Sequence, residues 1–268
     1  MAQVINTNVA SLGAQRYLSN SQNSLQTSLQ RLSSGLRINT AKDDAAGLSI
    51  SEGLTKQIRG YSQGTRNAND AISMMQTAEG GLQEISNMLQ RVRELAVQSA
   101  NGNYTSVERT AMNDEVGQLV SEIGRVAGNL TFNGTKVIGS AVSIKFQVGQ
   151  AAGDQVTVAL TNASGVAAGA NVSTATTAGS TISKMDTAIN TINAQRGALG
   201  AAMNRMESVV RTNENVVENL SASRSRILDA DFAAETANLT RNQILQQAGS
   251  AMLAQANSLP QNVLALLS

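Results

Sequence analysis

Apolar residues recur along most of this chain in alternating steps of three and four. Ala68, Ala71, Met75, Ala78, Leu82, Ile85, Leu89, Val92, Ala96 and Ser99 form one such series, and only Ser99 is not apolar. A stripe this narrow is the seam of helices lying along one another, because a helix on a globular core presents a broader one. A second series runs from Ile182 through Met185, Ile189, Ile192, Arg196, Leu199, Met203, Met206, Val210, Asn213, Val217, Leu220, Arg224 and Ile227 to Asp231. Its polar members become frequent only toward Asp231. Unbroken, this helix would extend roughly 75 Å, far beyond the length of an ordinary one, and such a rod needs partners along it.

Shorter helices are expected over 3–33, where Leu18, Leu25, Leu29, Leu32 and Leu36 share one side, and over 105–128. Thr105-Ser106-Val107-Glu108 opens the latter as a capping box, with the Thr105 hydroxyl capping backbone N–H groups while Glu108 reaches back. Asn101-Gly102-Asn103 before it is a turn signal, so helices 44–100 and 105–128 should fold back as an antiparallel hairpin. The middle of the chain changes period. Asn133-Gly134 has the chemistry of a tight hairpin turn. Ile144, Phe146 and Val148, then Val156, Val158 and Leu160, alternate with polar positions as short half-buried strands. Residues 161–181 are nearly all small and are expected to bury little and stay exposed.

Charge is distributed unevenly. Residues 1–30 carry a single charged side chain, Arg16, and residues 236–268 carry only Arg241. Chain ends are usually polar and solvated. Here they hold stripes such as Leu245, Ala248, Met252, Ala256, Leu259, Val263 and Leu266. The two ends could pair within one chain. Burial against identical copies uses them better, because low charge avoids the repulsion that stacking one sequence on itself creates.

Composition then removes most chemistry. There is no His, Cys or Trp, so the usual general base, thiolate nucleophile, disulfide and zinc cage are all missing. A net charge of +1 with no basic cluster gives no field for nucleic acid. No run of apolar residues is long enough to insert in a membrane, and MAQVINTNVA does not read as a secretory signal. Aromatic residues make up only 2%, and Ala, Leu, Val, Ile and Met suit helices packed side by side. No cofactor is implied. A carboxylate-based hydrolase would draw on acids such as Asp154 or Glu122, but nothing brings two carboxylates together. A membrane-surface helix would need Lys, Arg and aromatic anchors that residues 1–30 lack.

Four separated stretches give a sharper reading. MAQVINTNVASLGAQRYL at the start, QRLSSGLRINTAKDDAAGLSI from residue 30, LQRVRELAVQSANG at 89–102 and LPQNVLALL near the end together resemble bacterial flagellin. The resemblance covers about residues 1–140 and 182–268 and implies a mainly α fold. Long coiled-coil-like helices from both termini would form an inner-tube domain and a rod domain, with a small β-hairpin insert. Residues 1–43 and 224–268 would form the inner tube, and residues 44–181 and 182–223 the rod, with 141–181 as a short variable insert. This would be a short form without large outer domains. The implied function is a structural subunit that polymerises into the flagellar filament for motility, exported unfolded by the flagellar type III system. Implied partners are further copies in a helical homopolymer, a flagellar export chaperone, the filament cap and hook-associated proteins, and host flagellin receptors. The alternative is a hook–filament junction protein of the same superfamily.

The resemblance also assigns residues. Leu18, Leu25, Leu29, Leu32, Leu245, Met252, Leu259, Val263 and Leu266 are the expected self-assembly positions. Arg91, Leu95 and Glu115 match positions contacted by the vertebrate Toll-like receptor for flagellin. Structurally, Arg91 and Leu95 share a helix face, and Glu115 on the returning helix can reach Arg91. Arg37, Asn39, Lys42, Asp43, Asp44 and Gly47 match the epitope of a plant receptor kinase, with Gly47 the small residue on which its co-receptor packs. Read without the resemblance, the same stretch is a joint: Ser33-Ser34-Gly35 ends one helix, and Asp43 or Asp44 caps the next. Asp43 and Asp44 lack the spacing of a calcium loop. Leu264, Leu266 and Leu267 resemble the tail read by cytosolic flagellin receptors. Asn133 and Asn162 sit in sequons, Ser and Thr of 161–181 are candidates for O-glycosylation, and Pro260 is expected to start or kink the last helical turns.

Overall fold

The computed structural model describes residues 7–160 and 162–267, with side chains described for 7–160 and 162–258. In chain order the elements are α1 (Val9–Ser34), α2 (Ala45–Ala100), α3 (Ser106–Asn129), β1 (Thr131–Phe132), β2 (Thr135–Lys136), β3 (Val142–Gln147), β4 (Gln155–Leu160), α4 (Ala175–Leu228) and α5 (Phe232–Leu267). They group into two compact units. One takes the residues up to Lys56 together with those from Asn219; the other is Gln57–Glu218.

The Gln57–Glu218 unit is built on the first apolar series. All ten positions from Ala68 to Ser99 are buried. In α4 the burial is strictest at a seven-residue interval, through Ala178, Met185, Ile192, Leu199, Met206 and Asn213, as expected of helices running alongside one another. α3 adds Met112, Val116, Ile123 and Ala127 to the same core. Two ion pairs join α2 to α4, Arg93 to Asp186 at 2.6 Å and Arg196 to Glu79 at 2.8 Å. Both are partly exposed, so they set register more than stability. The polar seam member Arg196 is thereby explained.

The α2–α3 turn is closed by a buried arginine. Arg109 donates to the carbonyls of Ser99 at 2.6 Å, Asn101 at 2.8 Å and Tyr104 at 3.3 Å, meeting an acceptor in the last turn of α2 and two in the turn that follows. On the other side of the turn the capping box forms. Thr105 donates its N–H to Glu108 at 2.7 Å, and Glu108 donates its own N–H to the Thr105 hydroxyl. The Thr105 N–H, then the Thr105 hydroxyl at 2.9 Å, hold the Glu108 carboxyl below its ordinary pKa.

The β insert consists of two antiparallel hairpins. β1 and β2 pair Phe132 with Thr135 around Asn133 and Gly134, both at positive φ, as the sequence leads one to expect. β3 and β4 pair Ile144 with Val158 and Phe146 with Val156. The end of this second hairpin is held against the helices. Asn67 donates to the carbonyl of Gln147 at 2.7 Å, and the buried Asn213 amide donates to that of Val148 at 2.8 Å. The polar seam member Asn213 is thus a clamp. At Gly64 any Cβ would collide with the Val148 carbonyl, so this close approach requires glycine.

The segment 161–181 departs from expectation. Exposed positions alternate with buried ones: Ala163, Ala167, Val172, Ala178 and Thr181 are buried, and α4 already begins at Ala175. The Ser99 hydroxyl donates to the Val172 carbonyl at 2.6 Å, and the Val172 N–H donates to the Asn113 side chain at 3.0 Å. Small side chains let the backbone lie close enough for these bonds. The same composition that suggests disorder here permits tight apposition.

In the other unit α1 and α5 pair antiparallel. Asn8 donates to the Ala256 carbonyl at 2.8 Å, Ser21 to the Asn242 carbonyl at 3.2 Å, and Arg31 stands 4.0 Å from the largely buried Glu235. The second apolar series does not continue to Asp231 as one helix. α4 stops at Leu228, and Asp231 accepts from the N–H groups of Ala233 and Ala234 as the cap of α5. The polar residues near the end of that series mark the helix boundary. α5 runs through Pro260 to Leu267 without restarting there.

Candidate functional site

The helix pair α1/α5 is charge-poor and leaves apolar side chains uncovered. Its inner positions mix small or polar residues with leucines: Ser11, Ala14, Ser21 and Ser28 on α1 alternate with half-buried Leu18, Leu25 and Leu32, while Asn242, Gln246 and Gly249 on α5 lie between half-buried Leu239 and Leu253. Small residues bring the backbones together, and the serine and asparagine side chains bond across the seam. Ser11, for example, donates to Asn257 at 2.8 Å. Other bulky apolar residues point elsewhere. Leu12, Tyr17, Leu29, Ile244, Leu245 and Met252 are all exposed, and several border an apolar groove of about 620 Å³ between the two helices.

Of the expected self-assembly residues, Leu18, Leu25 and Leu32 therefore take part in the intrachain seam, whereas Leu29, Leu245 and Met252 face outward. The side chains of Leu259, Val263, Leu264, Leu266 and Leu267 lie outside the described residues. Hydrophobic periodicity picked out Leu245, Ala248 and Met252 on the outer face of α5, but Ala256 of the same stripe is buried. It missed the inner positions between Leu239 and Leu253, because Asn242, Gln246 and Gly249 carry no apolar signal.

Residues 30–51 form the joint between α1 and α2. Gly35 at φ +72° ends α1, with its N–H donating to the Arg31 carbonyl at 2.9 Å. The connection is tied to the start of the returning chain. The Arg37 N–H donates to the Leu228 carbonyl at 2.7 Å, the Arg37 guanidinium to Ile227 at 2.6 Å, and the Ala230 N–H to Gly35 at 2.9 Å. The two aspartates have separate duties. Asp44 accepts from the Gly47 N–H at 2.8 Å at the start of α2, while Asp43 accepts from the N–H groups of Asn39 and Thr40 and from the Thr40 hydroxyl. Arg37, Lys42, Asp43 and Asp44 are exposed and Asn39 is half-buried, but Gly47 is buried. A Cβ there would meet the Asp44 carboxylate and, at 2.8 Å, the Ile38 methyl, so a larger residue would have to push these two side chains aside. Among the described residues no group of acids is placed to hold a metal ion.

The Thr40 N–H, then the Asn39 N–H and the Thr40 hydroxyl, hold the Asp43 carboxyl below its ordinary pKa of 3.8. A depressed folded pKa means that the turn is supported at every pH above the unfolded value and loses that support as pH falls through the folded one. We expect the Thr40 amide resonance to stay fixed down to about pH 4 and to move only in stronger acid. In Asp43→Ala it should sit at its acid-end position already at neutral pH. A Thr40 resonance insensitive to both would remove Asp43 from this role.

Arg91 and Glu115 meet at the surface at 2.8 Å, with Glu94 also 3.3 Å from Arg91. Glu115 first, then Glu94, raises the Arg91 pKa. Leu95 does not join them on the surface. It is 2% exposed and belongs to the core that also contains Met112 and Val116. A helix with neighbours on two sides buries more than one seam, which heptad spacing alone does not reveal. The two acids weighed for hydrolysis lie apart in role as well. Glu122 pairs with Arg125, and Asp154 accepts from the Ala151 N–H within its own turn. No helix among the described residues is long and apolar enough to cross a membrane.

Comparison with known proteins agrees with this architecture. Residues 5–143 match the bacterial flagellin N-terminal helical region, and residues 182–267 match the bacterial flagellin C-terminal helical region. A flagellin of Halalkalibacterium halodurans is 44% identical over 270 residues, covering 98% of this chain and 99% of its own. The flagellar filament 33 kDa core protein of Treponema phagedenis is 42% identical over 284 residues, covering 98% of this chain and 99% of its own. Among solved structures, Bacillus cereus flagellin is 34% identical with a TM-score of 0.52, over 55% of this chain and 88% of that one. With both terminal helical regions matched and relatives alike over nearly their whole length, the chain belongs to the bacterial flagellin family.

Proposed function

We propose that the chain is the structural subunit of a bacterial flagellar filament, an extracellular polymer, and that the outer faces of α1 and α5 carry its assembly. The observation that supports this most directly is the charge-poor α1/α5 pair with Leu12, Tyr17, Ile244, Leu245 and Met252 uncovered. Exposed apolar surface of this kind marks an association face, and near absence of charge suits contact between identical copies. In this reading the α1/α5 unit belongs to the inner tube and the Gln57–Glu218 unit to the rod domain. The family is structural rather than enzymatic. The hook–filament junction alternative is less supported, since the relatives matched along their whole length are flagellins and a filament core protein.

The test is seeded growth followed by negative-stain microscopy. The full chain should elongate short filament fragments, and a chain lacking residues 1–30 and 240–268 should not. Growth by the truncated chain would overturn the assignment of assembly to α1 and α5.

The finer partners belong to the same proposal. Export unfolded through the type III apparatus suits a chain without disulfides. Before assembly the C-terminal stripe would be held by an export chaperone, and the growing end would meet cap and hook-associated proteins. Arg91 and Glu115 lie open to a Toll-like receptor. Arg91→Ala is therefore the informative variant, expected to weaken monomer-induced signalling about tenfold or more, as loss of a charge-assisted contact does; unchanged signalling would sink the assignment. Leu95→Ala would instead disturb the core. With Gly47 buried, we place plant-receptor recognition of residues 37–47 on a peptide released from the fold. The candidate O-glycosylation sites narrow to exposed hydroxyls such as Ser164, Thr174, Thr176 and Ser180.

A further inference from the structure

We propose that Met252 is an oxidation-sensitive position of the free subunit, and that conversion of its thioether to the sulfoxide by a peroxide prevents assembly. The inference rests on the α1/α5 assembly reading above. The chain has nine methionines and no cysteine, so thioethers are its softest nucleophiles toward a two-electron oxidant. Their exposure is very uneven. Met74, Met75, Met112, Met185 and Met206 are buried, and Met88 and Met203 are half-buried, whereas Met252 is 65% exposed. Met1 lies outside the described residues.

The position of Met252 gives its oxidation a consequence. It borders the apolar groove between α1 and α5, near Leu245, Ala248 and Gly249, on the face assigned to copy-to-copy contact. In the reaction the Met252 sulfur attacks one peroxide oxygen and the O–O bond breaks. An S=O bond forms, and the second oxygen leaves as water. Sulfur is oxidised by two electrons and the peroxide is reduced by two. The product is a polar, chiral group with a strong acceptor oxygen where an apolar side chain stood. Its nearest groove neighbours on α5, Leu245, Ala248 and Gly249, are apolar or small, so burying that oxygen against another copy strips it of water where a thioether had packed at no such cost. Assembly in turn removes the sulfur from solvent. The free chain is the vulnerable form and the polymer the protected one.

Hydrogen peroxide is applied to the full chain, free and as filaments, and the sulfoxide at each methionine is followed by peptide mass spectrometry. Met252 in the free chain should oxidise at least about tenfold faster than Met75, Met185 or Met206, and at least about tenfold faster than Met252 in filaments. Seeded elongation by the treated chain should be lost in proportion to the Met252 sulfoxide and regained after treatment with methionine sulfoxide reductases. For M252L, growth relative to its own untreated control should be indifferent to peroxide. Met252 oxidising no faster than the buried methionines overturns the proposal, and so does normal growth by fully oxidised chain. Failure of the untreated chain to elongate at all would count instead against the assembly reading. The relative oxidation rates in the free chain are measured independently of it.

Discussion

Leu245→Asp is expected to stop seeded elongation while leaving the subunit folded. Leu245 is half exposed on the outer face of α5, so a carboxylate there stays hydrated in the monomer and changes its stability by no more than about 0.5 kcal/mol. In a contact between copies the same carboxylate must give up water with almost no cation nearby, because Arg241 is the only charged residue in 236–268. Taking an unpaired charge out of water costs several kcal/mol. At about 1.4 kcal/mol per factor of ten, the concentration needed for growth should rise at least about a hundredfold. The two readouts are filament length by microscopy and the melting curve of the monomer. Growth at the ordinary concentration would show that this face of α5 stays in solvent in the polymer.

Leu82→Ala should do the reverse. Leu82 is 1% exposed in the middle of the α2 seam, and its removal leaves a cavity beside Val137, Ile138, Leu160 and Leu199 of the same core. Deleting a buried leucine side chain costs about 3 kcal/mol where the surroundings relax only partly. For a chain of this size that corresponds to a fall of about 6–12 °C in the melting temperature of the Gln57–Glu218 unit, followed by calorimetry. A fall of less than about 2 °C would mean that the seam collapses around the gap and is less tightly packed than its burial implies. Both variants replace one leucine, and the distinction between them is whether its neighbours belong to the same chain.

That distinction also explains what the sequence could and could not disclose. The α2 seam was legible because each of its positions, Ser99 aside, is apolar and the three-four spacing is unbroken. The Asn133-Gly134 turn and the Thr105–Glu108 capping box were legible because each depends only on local backbone chemistry. The start of α4 was not, since Ala175 to Thr181 are small residues with no apolar rhythm, and the segment leading into it is held by long-range bonds such as Val172 to Asn113. The inner face of α5 escaped notice for a related reason: close backbone approach selects glycine, serine and asparagine, which periodicity treats as solvent-facing. That Leu95 is buried while Arg91, four residues before it, is exposed was not legible from their shared helix face. Asn213 looked like a defect in a seam until the Val148 carbonyl it serves had been located.

The anchoring of the second hairpin bears on where the subunit can carry foreign sequence. Residues 149–154 look like a permissive loop. Yet extra residues grafted there would pull the Gln147 and Val148 carbonyls away from Asn67 and Asn213 and lift the strand from Gly64. The turn at Asn133 and Gly134 bears no such tether: both residues are exposed, and a Cβ at Gly134 would meet nothing within 4 Å. An inserted cargo peptide leaving from that point need disturb only a two-residue ladder.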